Sequence, residues 1–386
     1  MSRLEELIEQ YCPDGVEWKM LGEVCEIHKG VQFNKTDMKE VGTYPVINGG
    51  INPSGYAEVF NEGKNTITIS QGGASAGYVN FLRNKFWLGA HCYAVIPYDT
   101  VLNKYLYHFI KMNEITLQQC QYGAGIPALA KSTISSLEIP VPPLPVQEEI
   151  VRILDNFTEL QAELQAELQK RKQQYNFYRD NLLNFKNINR GGQTEVKWMK
   201  LKDIGKVCMC KRILKSQTSS SGDVPFFKIG TFGGNADAYI SQALFNEYKA
   251  KYSYPQKGDV LISAAGTIGR TIVFDGTPSY FQDSNIVWLK HDESIVLNSY
   301  LRYCYALNPW VVSTGGTIAR LYNDNILEAT IPVPSLANQQ RIVSILDRFD
   351  TLTNDLTAGL PAEIEKRRQQ YEYYRDKLLT FKRKEA

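Results

Sequence analysis

The chain has 386 residues, 43% of them apolar and 22% charged, with a formal charge of +2; it is too long for one ordinary domain and too near neutral for charge alone to name a partner. No run approaches the eighteen or so apolar residues of a membrane span, and the opening MSRLEELIEQYC is charged where a secretory signal is apolar, so the expected place is the cytoplasm, with no membrane partner. The seven cysteines, Cys12, Cys25, Cys92, Cys120, Cys208, Cys210 and Cys304, are odd in number and scattered, which suits reduced thiols; Cys208 and Cys210 alone lack the second pair of a zinc site.

From the N-terminus, short runs of Val, Ile, Tyr and Phe broken by Gly, Asn and Ser predict a head built mainly of short strands. Within it, NTITISQGGASAGYVNF (Asn65–Phe81) reads as strand, turn and strand, and LNKYLYHFIKM (Leu102–Met112) as a helix. At Ile139 the text becomes IPVPPLPVQEEIVRILDNF, where Pro140, Pro142, Pro143 and Pro145 forbid a helix upstream and force an extended lead-in. From about Val146 to Phe185 apolar residues recur at steps of three and four through Ile150, Phe157, Leu164, Leu168, Tyr175 and Leu182. That is the stripe of an amphipathic helix of roughly 40 residues, about 60 Å long, which needs a second helix to cover it.

The same text then returns. VEWKMLGEVCEIHKG (Val16–Gly30) has its counterpart in VKWMKLKDIGKVCMC (Val196–Cys210), and Asn65–Phe81 in GDVLISAAGTIGRTIVF (Gly258–Phe274), so a second head follows the plan of the first. IPVPSLANQQRIVSILDRF repeats the first lead-in 192 residues on (139 to 331), and KRRQQYEYYRDKLLTFK repeats KRKQQYNFYRDNLLNFK 196 residues on (170 to 366); four residues have been gained between them. The second stripe runs through Ile342, Phe349, Leu356, Ile364, Tyr371 and Leu378, with a kink or restart expected near Gly359 and Pro361. Such a duplication predicts an α+β chain of two mixed, β-rich heads separated by two long repeated helices, paired as an antiparallel coiled coil with an internal pseudo-two-fold. The expected divisions are residues 1–145 for the first head, 146–190 for the central helix, 191–337 for the second head and 338–386 for the C-terminal helix.

Between the matching anchors the heads differ. The first offers His28, Lys29, Gln32, Asn34, Lys35, Asn48, Asn52, Gln71 and Ser75, and the second Lys211, Arg212, Lys215, Lys228, Asn235, Arg270, Arg320 and Asn323. Arg, Lys, Asn and Gln pair with guanine or adenine edges, and Lys and Ser hold phosphates; singly, each is equally a residue that keeps a loop soluble. Signs of chemistry are missing. SQGGASAG (Ser70–Gly77) and SAAGTIG (Ser263–Gly269) have neither the P-loop nor the dinucleotide pattern, and the four histidines lack ligand spacing. No G-x-S-x-G elbow is present. The chain is therefore expected to be no enzyme, with no catalytic residue, no metal and no cofactor of its own.

The order of variable head, IPVPPLPVQEEIVRILD, RKQQYNFYRDNLLNF, second head, IPVPSLANQQRIVSILD and RRQQYEYYRDKLLTF resembles that of the specificity subunits of type I restriction-modification enzymes, over essentially the whole chain. The resemblance implies that the heads are target recognition domains, each reading half of a bipartite, asymmetric sequence in double-stranded DNA. It also implies two methylation subunits, which bind S-adenosylmethionine and methylate adenine, and two restriction subunits, which use ATP and Mg²⁺. On that reading helix length is a ruler: one further A-E-L-Q unit adds about 6 Å, against roughly 3.4 Å per base pair, and lengthens the unread spacer by one or two pairs. A coiled-coil scaffold whose heads bind proteins or glycans stays open, and salt-dependent DNA binding separates it; a self-sufficient DNA methyltransferase is disfavoured by the missing motifs, and failure to bind S-adenosylmethionine closes it.

Overall fold

A computed structural model describes residues 2–123, 127–185, 196–312 and 320–385; the expected boundary between residues 190 and 191 lies outside them. The chain forms two units, Met1–Ala166 with Ala362–Ala386, and Glu167–Pro361.

The first unit contains α1 (Arg3–Tyr11), β1 (Glu17–Met20), α2 (Leu21–Val24), β2 (Cys25–Lys29), β3 (Tyr44–Ile47), β4 (Gly55–Ala57), β5 (Thr66–Ser70), β6 (Val79–Leu82), β7 (Trp87–Leu88), β8 (Cys92–Pro97), α3 (Asn103–Met112), α4 (Glu114–Gln119), α5 (Lys131–Ser135), β9 (Glu138–Val141) and the start of α6 (Leu144–Leu183). Its strands form a sheet in the order β2-β8-β5-β6, a second in the order β4-β3-β7 with β3 and β7 parallel, and a ribbon of β1 with β9. Strand β5, TITIS, is buried at every position; four β-branched residues in succession favour the extended chain, and burial on both faces removes the usual alternation.

The second unit repeats the plan with β10 (Lys197–Lys200), α7 (Leu201–Ile204), β11 (Gly205–Met209), β12 (Val224–Phe227), β13 (Tyr239–Ile240), α8 (Gln242–Lys251), β14 (Val260–Ser263), β15 (Thr271–Val273), β16 (Tyr280–Phe281), β17 (Ile286–His291), α9 (Asn298–Tyr305), α10 (Asn323–Leu327), β18 (Thr330–Val333) and α11 (Leu336–Asn354); α12 (Leu360–Leu378) follows. The sheet orders β11-β17-β14-β15, β13-β12-β16 and β10-β18 match those of the first unit strand for strand. Helix α8, capped by the Ser241 side chain, is an addition to the second head, with no helix between β4 and β5 in the first.

Each head is locked to its helix by one fully buried glutamine. Gln147 Nε2 donates to the carbonyls of Thr100 and Pro142, and its Oε1 accepts from the Leu102 N–H. Gln339 makes the same three bonds, to Ile295 and Pro334 and from Leu297. Nearby, the hydroxyls of Tyr105 and Tyr300 donate to the carbonyls of Pro140 and Pro332. The proline lead-ins thus do more than stop a helix: their carbonyls, free of helix bonding, satisfy buried donors.

Helix α6 is continuous over 40 residues, with Pro145 in its first turn. Its TELQAELQAELQ stretch consists almost wholly of strong helix formers and contains neither glycine nor proline. Within the second unit α6 lies antiparallel to α11: Leu182 and Phe185 line one hollow with Ile342 and Ile345, while Tyr178, nearer the start of α6, stacks on Phe349, further along α11. Tyr175 joins the same core, and Leu168 is buried. Within the first unit Phe157 stacks on Tyr374, and Ile150 and Leu154 share a core with Tyr371, Leu378 and Leu379; Leu164 and Ile364 are half-buried.

The second copy departs from the expected stripe. Helix α11 stops at Asn354, and Leu356, expected to face a partner helix, is 81% exposed in the turn before α12. Asp355 accepts from the backbone N–H groups of Thr357 and Ala358, which draws the chain out of the helix. Gly359 then takes φ +89°, where a Cβ would lie 2.4 Å from the Thr351 carbonyl oxygen. Pro361 sits in the first turn of α12, where its missing N–H is harmless. The four residues gained by this copy fall within a non-helical turn instead of adding a helical one.

Candidate nucleic-acid interface

In the second head, β11 pairs with β17 and β12 with β16, so the segment after β11 faces the turn that joins β16 to β17. Between them lies a cleft of about 610 Å³ whose lining includes Arg212, Lys215, Lys228, Gln282, Asp283 and Asn285. Arg212 Nε donates to Asp283 Oδ2 at 2.9 Å, and Lys228 Nζ pairs with Asp237 Oδ1 at 2.8 Å. Lys215 opens a single 3₁₀ turn, Lys215–Gln217. Three cations against two carboxylates leave the cleft positive, which suits a phosphate-bearing ligand.

Ser284 takes φ +53°, a region sparsely used by residues other than glycine, and its carbonyl accepts from Arg320 Nη2 at 2.8 Å. Ser284, Arg320 and Asn323 line an adjoining recess of about 390 Å³. Lys211 and Arg270 line neither hollow: the Lys211 ammonium lies 5.2 Å from the centre of the Tyr252 ring, and Arg270 Nη2 donates to the Gly233 carbonyl.

In the first head Asn48 and Gln71 meet at one residue, since Asn48 Oδ1 accepts from the His91 N–H and the Gln71 N–H donates to the His91 carbonyl. Lys29 ends β2 opposite Tyr93. Gln32 follows in the next loop, with its Nε2 on the Phe33 carbonyl, and Lys35 opens the turn Lys35–Asp37. Asn52 and Ser75 stand on separate turns, after β3 and after β5.

The duplicated frame allows the two heads to be compared place by place. Strands β2 and β11 are equivalent, so 180 residues separate Lys35 from Lys215 and Gln32 from Arg212. A lysine therefore opens the 3₁₀ turn in both heads. Three residues earlier one head presents an amide and the other a guanidinium. The facing turn also differs: Gly89, Ala90 and His91 in the first head stand where Gln282, Asp283, Ser284 and Asn285 stand in the second. Gly89 and Gln282 begin these turns alike, donating to the carbonyls of Ile47 and Phe227. A constant cation beside changing hydrogen-bonding groups is the division expected where one part holds sugar-phosphate and another reads base edges.

Residues 13–171 and 193–366 each match the family model described as the type I restriction modification DNA specificity domain. The chain belongs to this family of specificity subunits. A Haemophilus influenzae chain whose name describes a type I restriction enzyme specificity subunit is 48% identical over 391 aligned residues, covering 98% of each chain. The Escherichia coli EcoR124I/EcoR124II specificity subunit is 31% identical, covering 100% of this chain and 98% of its own. The crystal structure of the type I restriction-modification S subunit from M. genitalium has the same fold, with a TM-score of 0.61 over 95% of this chain and 96% of that one, at 18% identity.

For a specificity subunit, the residues of interest that the sequence reading passed over are Asp283, Asn285 and His91. They lie on the turns before β8 and β17, which become comparable only once the strand pairings are known; the cue was the shared step from WLGAHC and YFQDSN into a buried strand. Cys208 and Cys210 are both buried, and burial pushes the Cys210 thiol up to about 12, which keeps it protonated. Among the described residues no helix is long and apolar enough to cross a membrane.

Proposed function

We propose that the chain reads a bipartite, asymmetric DNA target with one half-site per head. The observation that carries this reading is the pairing of like with unlike: Lys35 and Lys215 occupy one place in the repeated frame, as a shared phosphate contact requires, while Gln32 and Arg212 occupy another and offer different base-pairing groups. The other polar candidates, Lys29, Asn48, Asn52, Gln71 and Ser75 in one head and Lys211, Lys228, Arg270, Arg320 and Asn323 in the other, are assigned to the same two tasks. Residues 1–145 and 191–337 are proposed as the recognition domains and residues 146–190 and 338–386 as the helical spacer.

The chain is further proposed to dock two methylation subunits and two restriction subunits in the cytoplasm. S-adenosylmethionine, ATP and Mg²⁺ then belong to those partners, and this chain supplies the address. Twin aromatic patches support two copies of one partner. Phe177 is 63% exposed beside Tyr178, and its repeat equivalent Tyr373 is 62% exposed beside Tyr374, in the same edge-on arrangement. Exchange of one head for that of a relative, followed by mapping of methylated adenines, tests the reading: one half-site is expected to change and the other to persist. A change in both halves refutes one head per half-site.

A further inference from the structure

We infer that Arg212 reads a guanine in the half-site met by the second head, and that Asp283 is the residue that positions it. This rests on the reading above that the head faces a duplex. The Arg212 side chain is 68% exposed yet held, because its Nε donates at 2.9 Å to the carboxylate of Asp283, which is only 18% exposed. A free surface arginine samples many rotamers; a bond at Nε to a fixed carboxylate sets the plane of the guanidinium and leaves its outer edge available. Neither Nη1 nor Nη2 has a hydrogen-bond partner among the described residues. Two N–H donors on a fixed plane match O6 and N7 on the major-groove edge of guanine. Adenine opposes one of them with its own N6 donor, and neither pyrimidine presents paired acceptors.

The carboxylate is fixed in turn by the backbone. At the ends of its turn the Gln282 N–H donates to the Phe227 carbonyl at 2.9 Å, and the Asn285 carbonyl accepts from the Ala264 N–H at 2.7 Å. Ser284 between them is held at φ +53° with its carbonyl on Arg320. Residues kept in sparsely used conformations by their neighbours are enriched at functional sites. The other cations of the cleft lack this geometry: Lys228 is a point charge paired with Asp237, with both side chains exposed. In the first head, Gln32 replaces Arg212, and the facing turn Gly89–Ala90–His91 carries no carboxylate.

Sequencing of methylated DNA from cells carrying the complete system with wild-type, Arg212→Ala, Arg212→Lys or Asp283→Asn chains tests the assignment. The half-site that changes with the second head is expected to contain a guanine whose identity Arg212→Ala relaxes, with occupancy of the original site down roughly 10- to 100-fold and the other half-site unchanged. Arg212→Lys keeps the charge and should relax the same position. Asp283→Asn should relax it in part and add nothing to Arg212→Ala. In binding assays with the assembled complex, 7-deazaguanine at that position, which lacks N7, should weaken the wild type and leave Arg212→Ala unaffected. A half-site without guanine, a loss uniform over all sequences, or full selectivity in Arg212→Lys overturns the proposal. A relaxed guanine in a target that does not divide between the heads overturns only that division; a head-specific half-site untouched by Arg212→Ala overturns only the role of Arg212.

Discussion

Phe157 stacks on Tyr374 with ring centroids 5.4 Å apart and planes inclined by 21°, and the equivalent residues of the other copies, Phe349 and Tyr178, stack at 5.4 Å and 27°. The same contact is made twice with the partners exchanged, once within each unit, as the duplicated sequence leads one to expect. Phe157→Ala and Phe349→Ala should each destabilise by about 1–3 kcal/mol, because a half-buried ring and its offset stack are lost together. Hydrogen exchange should show the weakening of Phe157→Ala in α12 and that of Phe349→Ala in α11.

Gln147→Leu keeps the side-chain volume and removes all three bonds of the buried amide. The Leu102 N–H and the carbonyls of Thr100 and Pro142 are then left unsatisfied in the interior, for a loss of roughly 2–4 kcal/mol. Gln339→Leu should match it in the second unit. Limited proteolysis is expected to cut first near residues 100–102 in one variant and 295–297 in the other.

His108 is expected to give the first unit a pH dependence at a place where the second unit carries a tyrosine. Its Nε2–H donates to Asp155 at 3.1 Å and its Nδ1 accepts from the Tyr371 hydroxyl at 2.9 Å. Burial, the largest influence, lowers the imidazole from its ordinary value; Asp155 opposes this, while Lys104 and Arg375 add to it. Below about pH 6.5 the unfolded chain takes up a proton that the folded chain resists, so stability should fall as the pH drops from 7.5 toward 5.5. In the second unit the equivalent residue is Tyr303, whose hydroxyl donates to Asp347. His108→Tyr should therefore flatten the denaturation midpoint over that pH range; an unchanged slope in the variant would assign the dependence to other groups.

Gly359→Ala places a methyl 2.4 Å from the Thr351 carbonyl oxygen in a backbone conformation with φ +89°. A loss of about 1–3 kcal/mol is expected, read as a lower urea midpoint with local exposure at the end of α11.

Insertion of one A-E-L-Q unit after Leu168 extends α6 by about 6 Å, or one to two base pairs. Methylated-adenine mapping should show both half-sites kept and the unread spacer lengthened; an unaltered spacer rejects the helix as a ruler.

The frame was readable from the sequence because duplication and helical period are local signals. The prolines of Ile139–Pro145 and the steps from Ile150 to Leu182 placed α6 within two residues at each end, about Val146–Phe185 against Leu144–Leu183. The break before α12 was foreseen at Gly359 and Pro361, but Leu356 was not, since a leucine on the period looks apolar-facing until Asp355 turns the chain. The cleft was legible only in part. Arg212, Lys215 and Lys228 stood out by type, whereas Asp283 became visible only when strand pairing brought residues 71 positions apart into contact. A carboxylate among candidate DNA contacts looks misplaced in sequence, and its use lies in what it holds.

The buried glutamine joint has a consequence for how such a molecule acquires a new address. Gln147 and Gln339 ask of a head only two backbone carbonyls and one N–H at fixed points, groups that any suitably folded chain presents whatever its side chains. The joint behaves as a standard coupling, blind to the cassette plugged into it. Head surfaces away from this joint, and from the side-chain ties of His108 to Asp155 and Tyr303 to Asp347, are thus free to diverge without altering how the helix is held.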